Sequence, residues 1–326
     1  MMADHADEDY DGDVFIYRGG RAPRHITHAR IDKSVDEIEA HAFRYCENLV
    51  QVDTHDGIRT VRVDAFYNCV SLRWINLRSA VEIGWCAFCQ CTNLESVEFG
   101  DRLEIIGNAA FSQCTSLALD NLPSSVVTIG FNAFLRCKRL TDIELSERLE
   151  TMGERAFMNC KRLKRIAIPL KRDLFESSDV EKVYKHFEGC ERLTTVDLVG
   201  RIGKTVASLH MEIWRIEMIA EINRINQVLP TTPVKEKTEE IRQWMESLLD
   251  KMDRFKAQHC RYVKEGITLL ELALWKAKLG EQQEYAQEGQ QTKAKVVDAE
   301  CSRKDKRITC GADMVIKNVL PFLQLE

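Results

Sequence analysis

One feature decides what this chain can fold into: a unit of 22 or 23 residues that recurs along its first half. Each unit has a phenylalanine, a cysteine three residues later and a leucine three residues after that. The phenylalanines are Phe43, Phe66, Phe88, Phe111, Phe134, Phe157 and, after a longer interval, Phe187. A unit this short cannot bury its apolar side alone, so successive units must stack into a solenoid.

Two strand signals occur within each unit. After each leucine the residues alternate between apolar and polar, as in LRWINL over 72–77 and LTDIEL over 140–145. This period of two indicates a short strand with one buried face. A second apolar pair ending in Ile-Gly or Met-Gly indicates a shorter second strand, which the compact Ala-Phe-x-x-Cys corner follows. The first strand signal also appears one unit upstream, at Ile26–Ile31, so eight such strands are expected.

The combined pattern is Leu-x-x-Ile-x-Leu, then Val-x-x-Ile-Gly, then Ala-Phe-x-x-Cys. It resembles the BspA-like leucine-rich repeats of bacteria and single-celled eukaryotes. The resemblance implies a solenoid of short parallel strands with a binding or adhesion role, and it transfers no catalytic residue. The helical region after the repeats resembles the C-terminal part joined to such repeats in algal proteins.

Two units depart from the pattern. Asp120 occupies the inward position of the fourth strand, where a buried carboxylate would be costly. We therefore expect the strand to shift so that Leu119 turns inward. The seventh unit carries an insertion, KRDLFESSDVEK over 171–182, which predicts an exposed loop.

The apolar period changes to that of a helix from about Thr205. Pro230 and Pro233 interrupt it, and a second helix is expected over about 235–279 with a coiled-coil-like seam. The short connection favours a helical hairpin. The chain is thus an α+β repeat protein with five predicted parts: an acidic tail and N-terminal edge strand (1–23), the leucine-rich-repeat solenoid (24–200), the helical hairpin region (201–280), a polar linker (281–307) and an apolar C-terminal docking segment (308–326).

Two motifs suggest chemistry, and neither fits its pattern fully. Gly200–Thr205, with the sequence GRIGKT, lies between a strand and a helix as a phosphate-binding loop does, but Leu198 stands where such a loop needs its first glycine. A nucleotide-binding enzyme stays as an alternative on this motif alone. Cys86, Cys89 and Cys91 have zinc-like spacing, but no second pair of ligands accompanies them. We therefore predict no catalytic residue, cofactor or metal.

The outward side chains of the strands are the predicted binding surface. An exposed Trp among acidic side chains is typical of an interface hot spot, so Trp74 would anchor a partner and the acids would select a basic one. The predicted partner-binding residues are Asp53, Trp74, Asn76, Glu98, Asn121, Asp142, Glu144 and Arg165.

Composition narrows the class of partner. Acidic residues number 51 and basic residues 46, so no overall positive charge favours nucleic acid. The acidic N-terminal stretch lacks the apolar run of a signal peptide or a membrane anchor. We expect a cytoplasmic protein-binding scaffold, with a nuclear location left open, whose helical region could form a homo-oligomer. An adhesin exported without a recognisable signal is the other alternative.

Overall fold

The computed structural model of the protein describes residues 10–119, 121–175, 185–199 and 209–288. The strands in chain order are β1 (Tyr10–Asp11), β2 (Val14–Tyr17), β3 (His28–Ile31), β4 (Glu37–Ile38), β5 (Gln51–Asp53), β6 (Thr60–Val61), β7 (Trp74–Leu77), β8 (Glu82–Ile83), β9 (Ser96–Phe99), β10 (Ile105–Ile106), β11 (Thr128–Ile129), β12 (Asp142–Glu144), β13 (Thr151–Met152), β14 (Arg165–Ile168) and β15 (Thr195–Leu198). Two helices follow, α1 (Leu209–Val228) and α2 (Lys237–Glu288). The chain divides into two compact units, Met1–Asp250 and Lys251–Glu326.

The first strand of each of the early repeats joins one sheet, in the order β1-β2-β3-β5-β7-β9. From β2 onwards neighbouring strands are parallel, and Val52 of β5 lies beside Ile75 of β7 in the buried row. The hairpin of β1 and β2 is antiparallel and occupies the N-terminal end of the sheet. It covers an edge that would otherwise offer unpaired backbone groups to another strand.

The second strands form a parallel sheet of their own, in the order β4-β6-β8-β10-β11-β13. Each has two residues, and the second is fully buried. A glycine follows most of these strands. A Cβ atom added to Gly107 would lie 2.8 Å from the backbone carbonyl carbon of Gly84, so the close stacking of repeats leaves no room for a side chain there.

The fourth repeat interrupts the first series of strands, and β12, β14 and β15 form a separate three-stranded parallel sheet. Leu119 and Leu122 are buried, as the predicted shift of this repeat requires for Leu119. Asp120 itself lies outside the described residues. Among the described residues this repeat contributes one isolated bridge, from Asn121 to Glu144, instead of the expected strand. The repeat pattern would assign a carboxylate to the inward position, and Pro123 follows it, so both residues work against a regular strand here.

The core of the solenoid is a stack of the repeat phenylalanines. Phe43 and Phe66 lie parallel, with ring centroids 5.0 Å apart, and this stacking continues to Phe157 at spacings up to 5.5 Å. The repeat cysteines form a second column, which we call the cysteine ladder. Each thiol from Cys69 onwards donates to the carbonyl oxygen of a phenylalanine in the preceding repeat, as Cys114 does to Phe88 at 3.0 Å.

The C-terminal end of the solenoid is closed by α1 and the first turns of α2. The Asn226 side-chain oxygen accepts the backbone N–H of Val196 at 2.7 Å, and the Thr238 hydroxyl accepts that of Phe187 at 2.9 Å. The Lys237 ammonium donates to the carbonyl oxygen of Leu193 at 2.5 Å. Trp244 is buried in the same cluster. The last rung therefore has partners for backbone groups that an open edge would leave to solvent.

In the second unit α2 continues to Glu288, beyond residue 281 where the sequence predicts a linker. Its residues there are mostly Glu, Gln and Ala, which favour helix. The predicted seam is buried at Ile241 and Leu248 in the first unit, but Tyr262 and Leu269 are exposed. The segment 308–326 lies outside the described residues. No helix in the described part of the chain is long and apolar enough to cross a membrane.

Candidate partner-binding surface

The outward side chains of β3, β5, β7, β9, β12, β14 and β15 form what we call the strand face. Strand pairing fixes their order, because parallel strands about 4.8 Å apart align equivalent positions. Arg30 lies beside Asp53, Asn76 beside Glu98, and Gln51 beside Trp74. The structure thus brings the predicted residues of the first sheet together on one surface.

Trp74 is the large apolar side chain of this surface. It is 41% exposed, although its strand is flanked by others on both sides. Its neighbours in register are Gln51 and Ser96, neither of which is an aromatic side chain. The burial of Ile75 and Leu77 on the opposite side of the strand fixes the outward direction of Trp74.

Arg165 organises the charges of the second half of the strand face. Its guanidinium donates to Asp142 at 2.9 Å and to Asp197 at 3.0 Å, on the two strands that flank its own. The hydrogen bonds that Arg165 donates, to Asp197 first and then to Asp142, raise its pKa. Arg165 therefore acts within this surface as a bridge between strands, and it partly neutralises both carboxylates.

The first half of the strand face has weaker ion pairs between its own side chains. Arg30 lies 2.9 Å from Asp11 and 3.9 Å from Asp53, and Arg78 lies 3.3 Å from Glu98. Exposed pairs of this kind contribute at most about 1 kcal/mol, so a basic partner can replace them. Glu144 is exposed, and among the described residues it has no ion pair.

Some features of the surface were missed from the sequence. Arg30 and Arg78 were not among the predicted residues, although the strand template places Arg30 one unit upstream of Asp53. Trp85 is 62% exposed at the corner after β8, away from the strand face. Its position directly after Ile-Gly could have shown that it points outward.

The two motifs that suggested chemistry have different outcomes. Gly200–Thr205 lies outside the described residues. The Cys91 thiol belongs to the cysteine ladder and donates to the carbonyl oxygen of Phe66 at 3.0 Å in the core, and Cys89 is buried whereas Cys86 is half-buried. The described residues contain no group of three or more His, Cys, Asp or Glu side chains placed to hold a metal ion.

Comparison with known protein families identifies the type of the repeats. Six copies of the BspA type leucine rich repeat region match, over residues 22–117 and 78–180. A search of curated proteins found no significant match.

Three solved structures are similar over part of the chain. A leucine-rich repeat protein of T. pallidum is 33% identical over 42% of this chain and 64% of its own, with a TM-score of 0.39. A leucine rich cell surface protein of Faecalibacterium prausnitzii is 20% identical over 54% of this chain and 62% of its own, with a TM-score of 0.37. A leucine-rich repeat protein of Bacteroides ovatus is 22% identical over 58% of this chain and 65% of its own, with a TM-score of 0.36. The chain spans less than two thirds of the length of each.

Proposed function

Residues 22–180 are a leucine-rich repeat region of the BspA type, and from that premise we propose that the protein is a non-catalytic scaffold whose strand face binds a partner protein. Leucine-rich repeat proteins generally serve as binding or adhesion scaffolds. The single observation that carries the proposal for this chain is Trp74, a large ring left 41% exposed on an internal strand of a regular sheet.

The charge of the strand face selects the partner. Its acidic side chains outnumber its basic ones: Asp53, Glu98, Asp142, Glu144 and Asp197 are acidic, and Arg30, Arg78 and Arg165 are basic. A lysine or arginine of the partner can stack on the Trp74 ring and reach a neighbouring carboxylate at the same time. We therefore propose a protein with a basic surface, and not a nucleic acid, whose phosphates these carboxylates would repel.

A charge-reversal pair tests this proposal. Glu144→Lys changes the strand face, whereas Glu150→Lys makes the same change beside β13 in the other sheet. We expect a captured basic partner to bind Glu144→Lys at least about tenfold more weakly, equivalent to about 1.4 kcal/mol, and Glu150→Lys like the wild type. Binding should also weaken as salt is raised. Equal loss in both variants, or binding indifferent to salt, would reject the strand face as the site.

The location of the scaffold is part of the proposal. The cysteines of the described residues are all free thiols, which suits a reducing compartment such as the cytoplasm. Fractionation of cells that make a tagged full chain tests this. Recovery at the cell surface would favour the adhesin alternative, in line with the cell surface protein to which the chain is similar.

The helical region is proposed as a second contact, through which two copies associate. The stretch that supports it lies on the second unit's part of α2, where Leu269, Leu272 and Trp275 are each at least 60% exposed. Exposed apolar side chains this close together are typical of an interface.

A further inference from the structure

The corner of the third repeat carries two cysteines that the repeat does not require. Cys86 and Cys89 lie two residues before and one residue after Phe88. The same two places hold Asp64 and Tyr67 in the preceding repeat, and Ala109 and Ser112 in the following one. Neither Cys86 nor Cys89 belongs to the buried core cluster that contains the cysteine ladder. The repeat pattern therefore does not account for the pair.

The turn holds the two thiols together. The backbone N–H of Cys89 donates to the carbonyl oxygen of Cys86 at 3.0 Å, which closes a tight turn with Cys86 at a φ of 52°. Such a turn brings its first and fourth Cα atoms within about 7 Å, the range in which a disulfide can form.

The two sulfurs differ in access and in acidity. Cys86 is half-buried, whereas Cys89 is only 6% exposed. Interaction with the Cys86 thiol first, and then with the Ser112 hydroxyl, lowers the pKa of Cys89 against the opposing effect of burial. Sharing of its proton with Cys89, burial and the nearby carboxylate of Asp64 raise the pKa of Cys86, and Arg44 opposes this. The accessible thiol can therefore meet a small molecule first, and the inner thiol ionises more readily.

We infer that Cys86 and Cys89 form a redox-active dithiol, which a small-molecule disulfide converts to an intramolecular disulfide. The Cys86 sulfur attacks the small disulfide, forms a mixed disulfide and releases one small thiol. The Cys89 thiolate then attacks the Cys86 sulfur, and the bond to the small molecule breaks as the Cys86–Cys89 bond forms. Two protein thiols are oxidised, one small disulfide is reduced to two thiols, and the two protons pass to those leaving thiols. A dithiol reductant reverses the reaction.

The second step should be fast because it is intramolecular. The mixed disulfide should therefore not accumulate in the wild-type protein. The thiols of the cysteine ladder should stay reduced under the same conditions, because burial raises the pKa of Cys137 and Cys160 and shields both sulfurs.

Peptide mapping tests the inference on the folded full chain. The reduced protein is equilibrated with glutathione and glutathione disulfide at a series of ratios, quenched with acid, alkylated and digested. We expect a peptide that has lost two hydrogen atoms and in which Cys86 and Cys89 are both protected from alkylation. Separate alkylation of both thiols at the most oxidising ratio would overturn the inference, and so would a disulfide from either of them to any other cysteine.

Single variants separate the two roles. Cys89→Ser should hold a stable glutathione adduct on Cys86, whereas Cys86→Ser should leave Cys89 unmodified. Both substitutions should fold, because the following repeat has Ser112 at the position of Cys89 and Ala109 at that of Cys86. Cys260→Ser is the control, and it should oxidise at Cys86 and Cys89 like the wild type. Equal adduct formation on Cys86 in wild type and Cys89→Ser would show that no closure occurs.

A second probe tests whether the Cys86 and Cys89 thiols are close together, without oxidising them. Phenylarsine oxide binds two neighbouring thiols through one arsenic atom, so the reduced wild-type protein should retain it. Either single variant should bind it on the order of 100-fold more weakly, because the second sulfur no longer acts at high effective concentration. Unchanged retention in both variants would mean that another pair of cysteines holds the arsenical, and would contradict the assignment.

Discussion

Replacing Phe111 by alanine should destabilise the solenoid more than any surface change. The Phe111 side chain is fully buried between Phe88, at 5.3 Å, and Phe134, at 5.5 Å, and Phe99 packs edge-on at 5.9 Å. Removal of a buried phenylalanine costs about 3–5 kcal/mol through lost burial and the cavity that remains. Each lost ring pair adds about 0.5–1.5 kcal/mol where the neighbours cannot move together. We expect a loss of at least about 4 kcal/mol.

Urea denaturation followed by circular dichroism measures this loss. The control is Trp85→Ala, which removes a larger ring that is 62% exposed and should change the free energy of unfolding by about 0.5 kcal/mol or less. Phe111→Leu, which keeps more apolar volume, should fall between the two. Because each repeat packs only on its neighbours, Phe111→Ala could also split the transition into two steps. A loss below about 1 kcal/mol for Phe111→Ala would refute the stacked core.

Three further predictions concern residues in the C-terminal half of the chain. Burial lowers the pKa of His186 to about 4 from its ordinary value near 6.5. The folded protein should therefore be most stable above pH 6.5, where His186 is neutral in both states, and should lose stability as the pH falls towards 4. The unfolding free energy lost over this range approaches about 3 kcal/mol. Measurement of the unfolding free energy as a function of pH should show a smaller loss in His186→Gln. Asn226→Ala leaves the backbone N–H of Val196 without its acceptor and should cost about 1–3 kcal/mol in a urea melt, whereas no change would mean that α1 does not close the edge. Trp275→Lys should shift a self-associating protein towards monomer in sedimentation analysis, and an unchanged distribution would exclude this part of α2 as the contact.

The repeating part of the fold could be predicted because its signals are local and occur many times. The period of 22 or 23 residues fixes which side chains point inward, and Phe43 to Phe157 stack as that period requires. The shift of Leu119 was predictable for the same reason, since Asp120 breaks a pattern that its neighbours define.

Features that depend on distant parts of the chain could not be predicted. The closure of the last rung by Asn226 and Lys237 joins residues 30 and 44 positions apart, and no periodicity marks such pairs. The ion pairs of Arg165 with two neighbouring strands could not be predicted either. The sequence shows that the Arg165 side chain points outward, but not that two carboxylates lie within 3.0 Å of it. The predicted binding residues therefore lie on two sheets and at the isolated bridge of Asn121, and the ion pairs among them emerge only in three dimensions.

The measurement that tests the central claim most directly is a parallel capture of partners from native lysate by the wild-type chain, Trp74→Ala and Trp85→Ala. Both variants lose one exposed tryptophan, but only Trp74 lies on the strand face. If the strand face is the binding surface, the same partner should be recovered with the wild type and Trp85→Ala and lost with Trp74→Ala. Equal recovery with all three proteins, or loss with Trp85→Ala alone, would contradict the proposed function.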